Sequence, residues 1–372
     1  MRTLLVTNDF PPRPGGIQQF VHNLAVRQPA GSLVVYASRW RGAAAFDAEQ
    51  PFPVIREDTT VLLPTRAVGR RAARIATEHG CDRVWFGAAA PLGLLATGLR
   101  RRAGVRRAVA ITHGHEVGWA SLPGARTLLR RLARDVDVLT YLGEYQRSRL
   151  DRVVGGLTDL ERLTPGVDTE VFSPTVSGEA VRSRFGLAGR PVIVCVSRLV
   201  PRKGQDTLIR ALPAIRSRVP DAALLLVSGG PHRAALQRLA HTTGVADHVV
   251  FTGSVPWADL PSHFAAGDVF AMPCRTRRRG LDVEGLGIVY LEASAMGLPV
   301  VAGDSGGAPD AVLEDDTGYV VSGRDVPAVA DRVAAILADP RLAKRLGTAG
   351  RSWVEAQWRW SHQAERLRTL LG

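Results

Sequence analysis

Short apolar runs alternate with helix-like patterns along the whole chain, which predicts parallel β-sheets with helices on both faces. In the first half, the predicted strands are residues 4–6, 33–37, 84–86, 109–112 and 138–141. In the second half, they are residues 192–196, 223–227, 249–252, 269–272 and 300–302. This alternation favours an α/β protein and gives each half a sheet of its own.

A polar segment framed by two prolines, residues 164–174, separates the two halves and is interpreted as a hinge. The predicted domains are therefore residues 1–170 and 171–357. A chain of 372 residues with 45% apolar content is long enough to bury about two cores. Two further helical segments follow Pro340.

Two carboxylates, Glu284 and Glu292, flank a glycine-rich turn that leads into a helical pattern. Gly285 and Gly287 are predicted to lie where that helix begins, so that unpaired backbone N–H groups and the helix dipole favour an anion. The flanking carboxylates can accept hydrogen bonds from sugar hydroxyls. A polyol beside a phosphate describes a nucleotide sugar, whereas the alternative interpretation makes both glutamates ordinary solvated charges.

Two cations follow the predicted strand 192–196. Arg198 and Lys203 leave its carboxyl end, which is the edge where open α/β sheets bind ligands, and the helical pattern 205–219 follows. A planar guanidinium and an ammonium together suit a diphosphate. Near the N-terminus, the loop that ends in Gly15 and Gly16 is a second turn suited to an anion, although it lacks the spacing of a dinucleotide motif.

Six segments together resemble the retaining GT-B glycosyltransferases of family 4. The likeness is greatest to the actinobacterial GDP-mannose-dependent phosphatidylinositol monomannoside mannosyltransferases. These segments are residues 8–16, 112–119, 197–206, 272–273, 280–287 and 305–309.

The resemblance implies two Rossmann-like domains that face each other across a cleft, with the C-terminal helix, about residues 358–372, crossing back to the first domain. It also implies α-1,6 transfer of mannose from GDP-mannose to a phosphatidylinositol mannoside. No metal or other cofactor is expected, and GDP-mannose is the substrate.

Residue roles follow from the same resemblance. Arg198, Lys203 and the N–H of Gly16 are assigned to the diphosphate, and Glu292 to the ribose. The donor sugar is assigned to Glu284 with the backbone of Gly285, Leu286 and Gly287. His113 is implied at the transfer site, and Asp9 is a candidate for positioning the acceptor hydroxyl. The base is expected near Val249, Val250 and Phe251.

Two segments depart from the family pattern. Arg277, Arg278 and Arg279 stand where the resembled enzymes carry small residues, and they could bind an anionic acceptor or reach solvent. Asp310 replaces the usual glutamate after residues 305–309. Because of the three arginines, the resemblance defines the identity of the acceptor less closely than that of the donor.

Candidate metal sites in the sequence are weak. Asp135 and Asp137 match the D-x-D string of metal-dependent transferases, but they precede an apolar strand and are expected to cap or solvate it. His113, His115 and Glu116 have no second ligand pair at suitable spacing. Three scattered cysteines indicate buried, reduced thiols, and no signal or membrane-spanning run is seen, so a cytoplasmic protein is expected.

The net charge of +13 comes almost wholly from arginine, since Lys203 and Lys344 are the only lysines among 48 basic residues. Helical spacing places Arg66, Arg70, Arg71 and Arg74 on one face, and Arg126, Arg130, Arg131 and Arg134 on another. Beside apolar residues such as Val68, Ile75, Leu122, Leu128 and Leu129, these faces could lie on the anionic inner surface of the cell membrane. They could equally be solvated arginine faces.

Three functions remain open on the sequence. The first is a mannosyltransferase that acts on a membrane phosphoinositide mannoside. The second is a transferase or epimerase that uses another nucleotide hexose and a soluble acceptor. The third is a basic membrane- or nucleic-acid-binding protein without catalysis, although nucleic acid is disfavoured because no aromatic residues interleave with the basic runs. The sequence leaves the oligomeric state undetermined.

Overall fold

A computed structural model describes residues 1–114, 116 and 123–372. His115 and residues 117–122 lie outside the described residues; they include Trp119 of the histidine motif, residues 112–119, and also Leu122. The chain forms two compact units: unit 1 is Met1–Gly166 with Trp360–Gly372, and unit 2 is Val167–Arg359. The observed divisions lie within a few residues of 170 and 357, the ends of the domains predicted from the sequence.

Unit 1 contains, among its described residues, a seven-stranded parallel sheet with the order β3-β2-β1-β4-β5-β6-β7. Its strands are β1 (Thr3–Thr7), β2 (Leu33–Ser38), β3 (Val54–Glu57), β4 (Arg83–Phe86), β5 (Arg107–Ala110), β6 (Val138–Tyr141) and β7 (Asp159–Arg162). The order places β1 and β4 at the centre, where both faces of a parallel strand are covered. Accordingly, every residue of β1 is buried.

Helices connect these parallel strands. They are α1 (Gly16–Ala25), α2 (Ala43–Ala48), α3 (Arg66–Glu78), α4 (Ala96–Ala103), α5 (Pro123–Asp135) and α6 (Glu144–Val154). Small or apolar residues of α3 face the core, whereas Arg66, Arg70, Arg71 and Arg74 are exposed, as their spacing predicted. Ile75 and Leu129, two of the apolar residues predicted beside the arginine faces, are buried in the core and are therefore unavailable to a bilayer.

Unit 2 contains a six-stranded parallel sheet within the described residues, with the order β10-β9-β8-β11-β12-β13. Its strands are β8 (Val192–Val196), β9 (Ala223–Val227), β10 (Val249–Gly253), β11 (Val269–Met272), β12 (Val300–Gly303) and β13 (Gly318–Val321). Its helices are α7 (Glu179–Arg184), α8 (Gln205–Arg218), α9 (Arg233–Thr242), α10 (Leu260–Ala265), α11 (Ile288–Ala295), α12 (Val326–Ala338) and α13 (Pro340–Gln357).

The C-terminal helix α14 (Trp360–Leu371) belongs to unit 1. Its Ala364, Leu367 and Leu370 join a buried cluster with residues of α1 and of the central strands, including Phe20 and Trp85. The chain thus returns to its first sheet after completing the second, as the resemblance implied. All three cysteines are buried free thiols. None of the helices in the described part of the chain combines the length and apolarity needed to cross a bilayer.

Candidate functional site

The loop after β8 presents the two predicted diphosphate ligands. A 3₁₀ turn, Pro201–Lys203, ends at Gly204, whose φ of 78° lies in the left-handed region, and α8 begins immediately afterwards. The buried amide of Gln205 donates to Ser197 Oγ at 2.9 Å and to the Arg198 carbonyl at 3.1 Å. Since Arg198 itself is exposed, this clamp fixes the loop while leaving the guanidinium accessible.

Glu284 lies against the same loop. Its side chain is 8% exposed, and its Oε2 is 2.8 Å from Lys203 Nζ and 3.5 Å from Arg202 Nε. Its backbone N–H donates to the buried Ser305 Oγ at 3.2 Å. Glu284 and Lys203 therefore form an ion pair, although the sequence assigned the first to the donor sugar and the second to the diphosphate.

The turn from Gly285 to Gly287 leads into α11, with Gly287 at its N-cap and a φ of 78°. A second glycine pair supports this turn, since a Cβ at Gly306 would overlap the Glu284 carbonyl and one at Gly307 the Gly285 carbonyl. The Gly307 N–H also donates to the Glu284 carbonyl at 3.0 Å. The backbone amides at the start of α11 are thus held in a rigid turn suited to an anionic or hydroxyl-bearing ligand.

Glu292 is the second predicted carboxylate, one turn into α11. Desolvation by the surrounding protein raises its pKa from 4.5 to about 7, although part of its surface reaches solvent. A ligand that donates hydrogen bonds to such a desolvated carboxyl stabilises its charged form. Ribose hydroxyls are donors of that kind.

The raised pKa of Glu292 predicts a pH-dependent stability. The folded protein keeps the proton up to about pH 7 whereas the unfolded chain loses it near 4.5, so stability falls as pH rises through this window. Without bound nucleotide sugar, Glu292→Gln should be more stable than the parent at pH 8 by roughly 1–3 kcal/mol. This range follows from about 1.4 kcal/mol per pKa unit, reduced because the side chain is partly exposed.

Urea denaturation at pH 8 and pH 4.5 measures this difference, which should nearly vanish at the lower pH. Glu170→Gln, at an exposed position of the same unit, is the matched control and should show little difference at either pH. Equal stabilisation by Glu292→Gln at both pH values would contradict a buried, titrating carboxyl.

A partly buried ion pair missed by the sequence interpretation supports the cationic loop. Arg275 Nη2 donates to both carboxylate oxygens of Asp206, at 2.8 and 2.9 Å. Arg275 Nη1 donates to Thr207 Oγ1 at 2.9 Å. The Arg275 N–H donates to the Arg202 carbonyl at 2.8 Å. The segment after β11 is thereby joined to the start of α8. An arginine and an aspartate 69 positions apart carry no pairing signal in a single sequence.

At the carboxyl edge of the first sheet, the described part of the histidine motif follows β5. His113 Nε2 lies 2.6 Å from the Gly87 carbonyl, and since a carbonyl only accepts, Nε2 donates. The imidazole packs edge-on against Phe20, with ring centroids 5.5 Å apart. Glu116, which the sequence offered only as a weak metal-ligand candidate, is fully buried, and its Oε2 accepts from the N–H groups of His113 and Gly114 at 3.0 and 3.1 Å.

Asp9 is held beside the glycine turn of the first unit. Its Oδ1 accepts from Gln18 Nε2 at 2.7 Å, and its N–H donates to Thr7 Oγ1 at 2.8 Å. Gly15 is the N-cap of α1, and a Cβ there would overlap Gln18 Oε1. Gly16 begins α1, and nothing lies within 4 Å of a Cβ placed there, so its backbone is open to a ligand.

The predicted base segment is only partly at a ligand-binding edge. Val249 is buried near the amino end of β10, and Val250 and Phe251 pack against the same core. The carboxyl end of this strand is Gly253, with a φ of 77°. Contacts from this strand at the ligand edge thus fall to residues beyond Phe251, because ligands bind outside the carboxyl ends of parallel strands.

Other sequence candidates have structural partners. Asp137 Oδ2 accepts from the Ala108 N–H at 2.7 Å and pairs with Arg100 at 2.6 Å, consistent with a strand-capping role. The described residues contain no group of three or more His, Cys, Asp or Glu side chains placed to hold a metal ion. The side chain of Arg279 lies outside the described residues, and Arg278 is exposed. Asp310 lies in the 3₁₀ turn Ala308–Ala311.

Residues 179–353 match the family model described as "Glycosyl transferases group 1". The chain is 56% identical over 375 residues to a GDP-mannose-dependent alpha-(1-6)-phosphatidylinositol monomannoside mannosyltransferase of Mycolicibacterium smegmatis, covering 99% of this chain and 97% of that protein. The chain belongs to the group 1 glycosyltransferases.

Other relatives of this glycosyltransferase extend the likeness. A GDP-mannose-dependent monoacylated alpha-(1-6)-phosphatidylinositol monomannoside mannosyltransferase of Corynebacterium glutamicum is 47% identical, over 100% of this chain and 97% of that one. The crystal structure of Anabaena Alr3699/HepE in complex with UDP aligns with a TM-score of 0.82 at 19% identity, over 100% of this chain and 99% of that one. The second likeness establishes the GT-B fold of the glycosyltransferase.

Proposed function

We propose that this glycosyltransferase transfers mannose, with retention, from GDP-mannose to a phosphatidylinositol monomannoside and forms an α-1,6 linkage. The observation that carries the proposal is the near full-length 56% identity to the GDP-mannose-dependent alpha-(1-6)-phosphatidylinositol monomannoside mannosyltransferase of Mycolicibacterium smegmatis. The site agrees with it, because cations, carboxylates and a glycine turn are gathered at the carboxyl edge of the second sheet.

The donor chemistry follows from these charges. Cleavage of a glycosyl phosphate bond builds negative charge on the departing diphosphate and positive charge on the sugar ring. Arg198 and Lys203 oppose the first charge, and the carboxylate of Glu284 is suited to the second and to the sugar hydroxyls. Because two fixed cations meet the diphosphate, we propose that transfer requires no metal cofactor.

Unit 1 is proposed to supply the acceptor side. The carboxylate of Asp9, oriented by Gln18, can accept a hydrogen bond from an acceptor hydroxyl. The Gly87 carbonyl holds the imidazole of His113 and Glu116 holds its backbone N–H, so the ring orientation is set before any ligand arrives. Preorganised groups of this kind lower the barrier without reorganisation during the reaction.

A donor panel tests the proposal. Purified protein is incubated with phosphatidylinositol monomannoside and radiolabelled GDP-mannose, UDP-glucose or UDP-galactose, with and without EDTA, and Glu284→Gln serves as the inactive control. We expect label from GDP-mannose alone to enter the lipid, to resist EDTA, and to be released by an α-1,6-specific mannosidase. Transfer from a UDP-sugar, or to a soluble acceptor only, would overturn the assignment.

We further propose that unit 1 attaches peripherally to the cytoplasmic face of the membrane through α3. Arg66, Arg70, Arg71 and Arg74 are exposed on one side of this helix. Just before the helix, Val61 and Leu63 are 49% and 54% exposed. Cations beside exposed apolar side chains suit an anionic bilayer surface.

Replacing these four α3 arginines with glutamine should weaken sedimentation with anionic vesicles and slow transfer to vesicle-borne acceptor. The physical reason is the loss of about 1 kcal/mol per basic group near the surface, an attraction that falls with salt. GDP affinity should stay at the parent value, because none of these arginines is among the residues assigned to the nucleotide, most of which lie in the other unit.

A matched variant removes the same charge from exposed positions of unit 2, by changing Arg218, Arg238, Arg332 and Arg341 to glutamine. This control should sediment as the parent does. If both variants lose vesicle binding equally, the attraction is a property of net charge, and α3 is a solvated face.

A further inference from the structure

Arg202 stands between two carboxylates in the donor site. Its Nε is 3.5 Å from Glu284 Oε2, and its Nη1 is 3.9 Å from Asp282 Oδ1. Its side chain is 31% exposed, whereas those of Lys203 and Glu284 are 11% and 8% exposed. Arg202 thus reaches from the solvent edge of the site towards the buried Lys203–Glu284 pair.

Glu284 Oε2 has two cations beside it, Lys203 and Arg202. Lys203 Nζ lies 2.8 Å from Glu284 Oε2 as an ion pair but not as an aligned hydrogen bond. Within the described residues, neither Glu284 Oε2 nor Arg202 Nε has a hydrogen-bond partner, although both atoms are buried. The buried Arg202 Nε, which lacks an aligned hydrogen-bond partner among the described residues, therefore faces the ion-paired carboxylate of Glu284 at 3.5 Å.

Donor binding creates a competition for Lys203. If the ammonium turns to a diphosphate, Glu284 loses its nearest cation while a second anion arrives beside it. A nearly buried carboxylate left without a partner is costly, and repulsion between it and the phosphates adds to that cost. Arg202 is the nearest other cation, and a small movement of its Nε completes a hydrogen bond to Glu284.

We propose that Arg202 is a positioning residue that takes over Glu284 when Lys203 engages the donor diphosphate. This inference rests on the proposed donor site. Lys203 and Glu284 neutralise each other without ligand, and Arg202 replaces Lys203 as the partner of Glu284 once the nucleotide is bound. The carboxylate is then held at a fixed position for the sugar rather than repelled by the phosphates.

The loop formed by residues 277–282 supports the placement of Arg202. Backbone hydrogen bonds from the Arg277 N–H to the Asp282 carbonyl, at 2.9 Å, and back from the Asp282 N–H, at 3.3 Å, close residues 277–282 into a hairpin. Asp282 at its base faces both Arg277 and Arg202. Because Asp282 keeps the guanidinium at the rim of the site, Arg202 remains within reach of Glu284.

The experiment is a double-mutant cycle read by calorimetric titration with GDP, which carries the diphosphate but no mannose. Arg202→Gln should raise the Kd for GDP about ten-fold, in the range expected for a lost charge-assisted contact. Arg202→Lys, which keeps the charge, should recover most of the affinity. Arg218→Gln removes an equal charge from an exposed position of the same unit and should bind GDP as the parent does.

The decisive arm is the Glu284→Gln background. With the carboxylate gone, Lys203 needs no replacement, so adding Arg202→Gln should change the Kd for GDP less than about two-fold, the weak effect of an exposed charge. An unchanged ten-fold loss in that background would mean that Arg202 binds the phosphates directly, which overturns the proposal. No loss in either background would also overturn it.

Two measurements distinguish a failure of this inference from a failure of the proposed donor site. Failure of the parent to bind GDP would refute the proposed donor site, whereas normal parent binding with an unaffected Arg202→Gln refutes only the role of Arg202. Thermal unfolding of each variant identifies a folding defect. If Arg202→Gln is poorly folded, Arg202→Lys still tests the proposal, because charge retention predicts near-parent binding of GDP, and a loss of about ten-fold in that variant would overturn it.

Discussion

Replacement of Lys203 by alanine is expected to lower kcat/KM for the sugar donor by about 10²- to 10³-fold, the usual cost of removing a preorganised electrostatic contact. Two effects combine in this variant. The diphosphate loses a nearly buried cation, and Glu284 loses its partner at 2.8 Å. Initial rates with varied donor concentration measure the change. Arg198→Ala should lose about ten-fold or more, since the exposed Arg198 contributes one charge-assisted contact.

The chain provides an unusually clean control for Lys203, because Lys344 is the only other lysine. Lys344 is exposed on α13, so Lys344→Ala removes the same side chain from a surface outside the site. Its rates should equal those of the parent. Parent-like turnover by both Lys203→Ala and Arg198→Ala would refute the assignment of these cations to the diphosphate.

The second large effect is expected from Gly306→Ala. The φ of 58° disfavours a side chain, and the added Cβ would overlap the Glu284 carbonyl. The turn that carries Glu284 must then move, and about 1 Å of misplacement can cost about 10²-fold in rate. We expect activity to fall by about that factor, and stability to fall by roughly 2–4 kcal/mol from backbone strain plus overpacking.

Gly186→Ala separates these two causes. Gly186 has a similar φ of 66°, but nothing lies within 4 Å of a Cβ placed there. This variant should lose only about 1 kcal/mol or slightly more of folding stability, from backbone strain, and should keep its reaction rate. Denaturation curves and initial rates on both variants provide the comparison. Equal losses in the two proteins would show that close approach to Glu284 is irrelevant.

The central strands could be predicted from the sequence because both of their faces are covered. A strand such as β9, in which every residue is buried, must be almost wholly apolar, so a short apolar run identifies it. The sequence interpretation did not predict β3, β7 or β13, and each lies at the edge of its sheet. All four residues of β3 are only partly buried, and charged ends are tolerated there.

The candidate site was predictable where one short segment carries the chemistry. Gly287 at the N-cap and Glu292 within α11 are fixed by local sequence, and both lie where the pattern placed them. Pairings between distant segments were not predictable, because no local signal records which arginine meets which aspartate. Arg275 with Asp206 is such a case, and so is the contact of Lys203 with Glu284.

The path of the chain has a consequence for its synthesis. Unit 2 is an insertion in unit 1, because α14 alone returns to the first sheet. A ribosome therefore releases every residue of unit 2 before unit 1 can acquire Ala364, Leu367 and Leu371, which complete its core. The proposed acceptor unit thus matures last, although its residues emerge first, and a ribosome that stops before residue 360 leaves a nascent chain whose first core is unfinished.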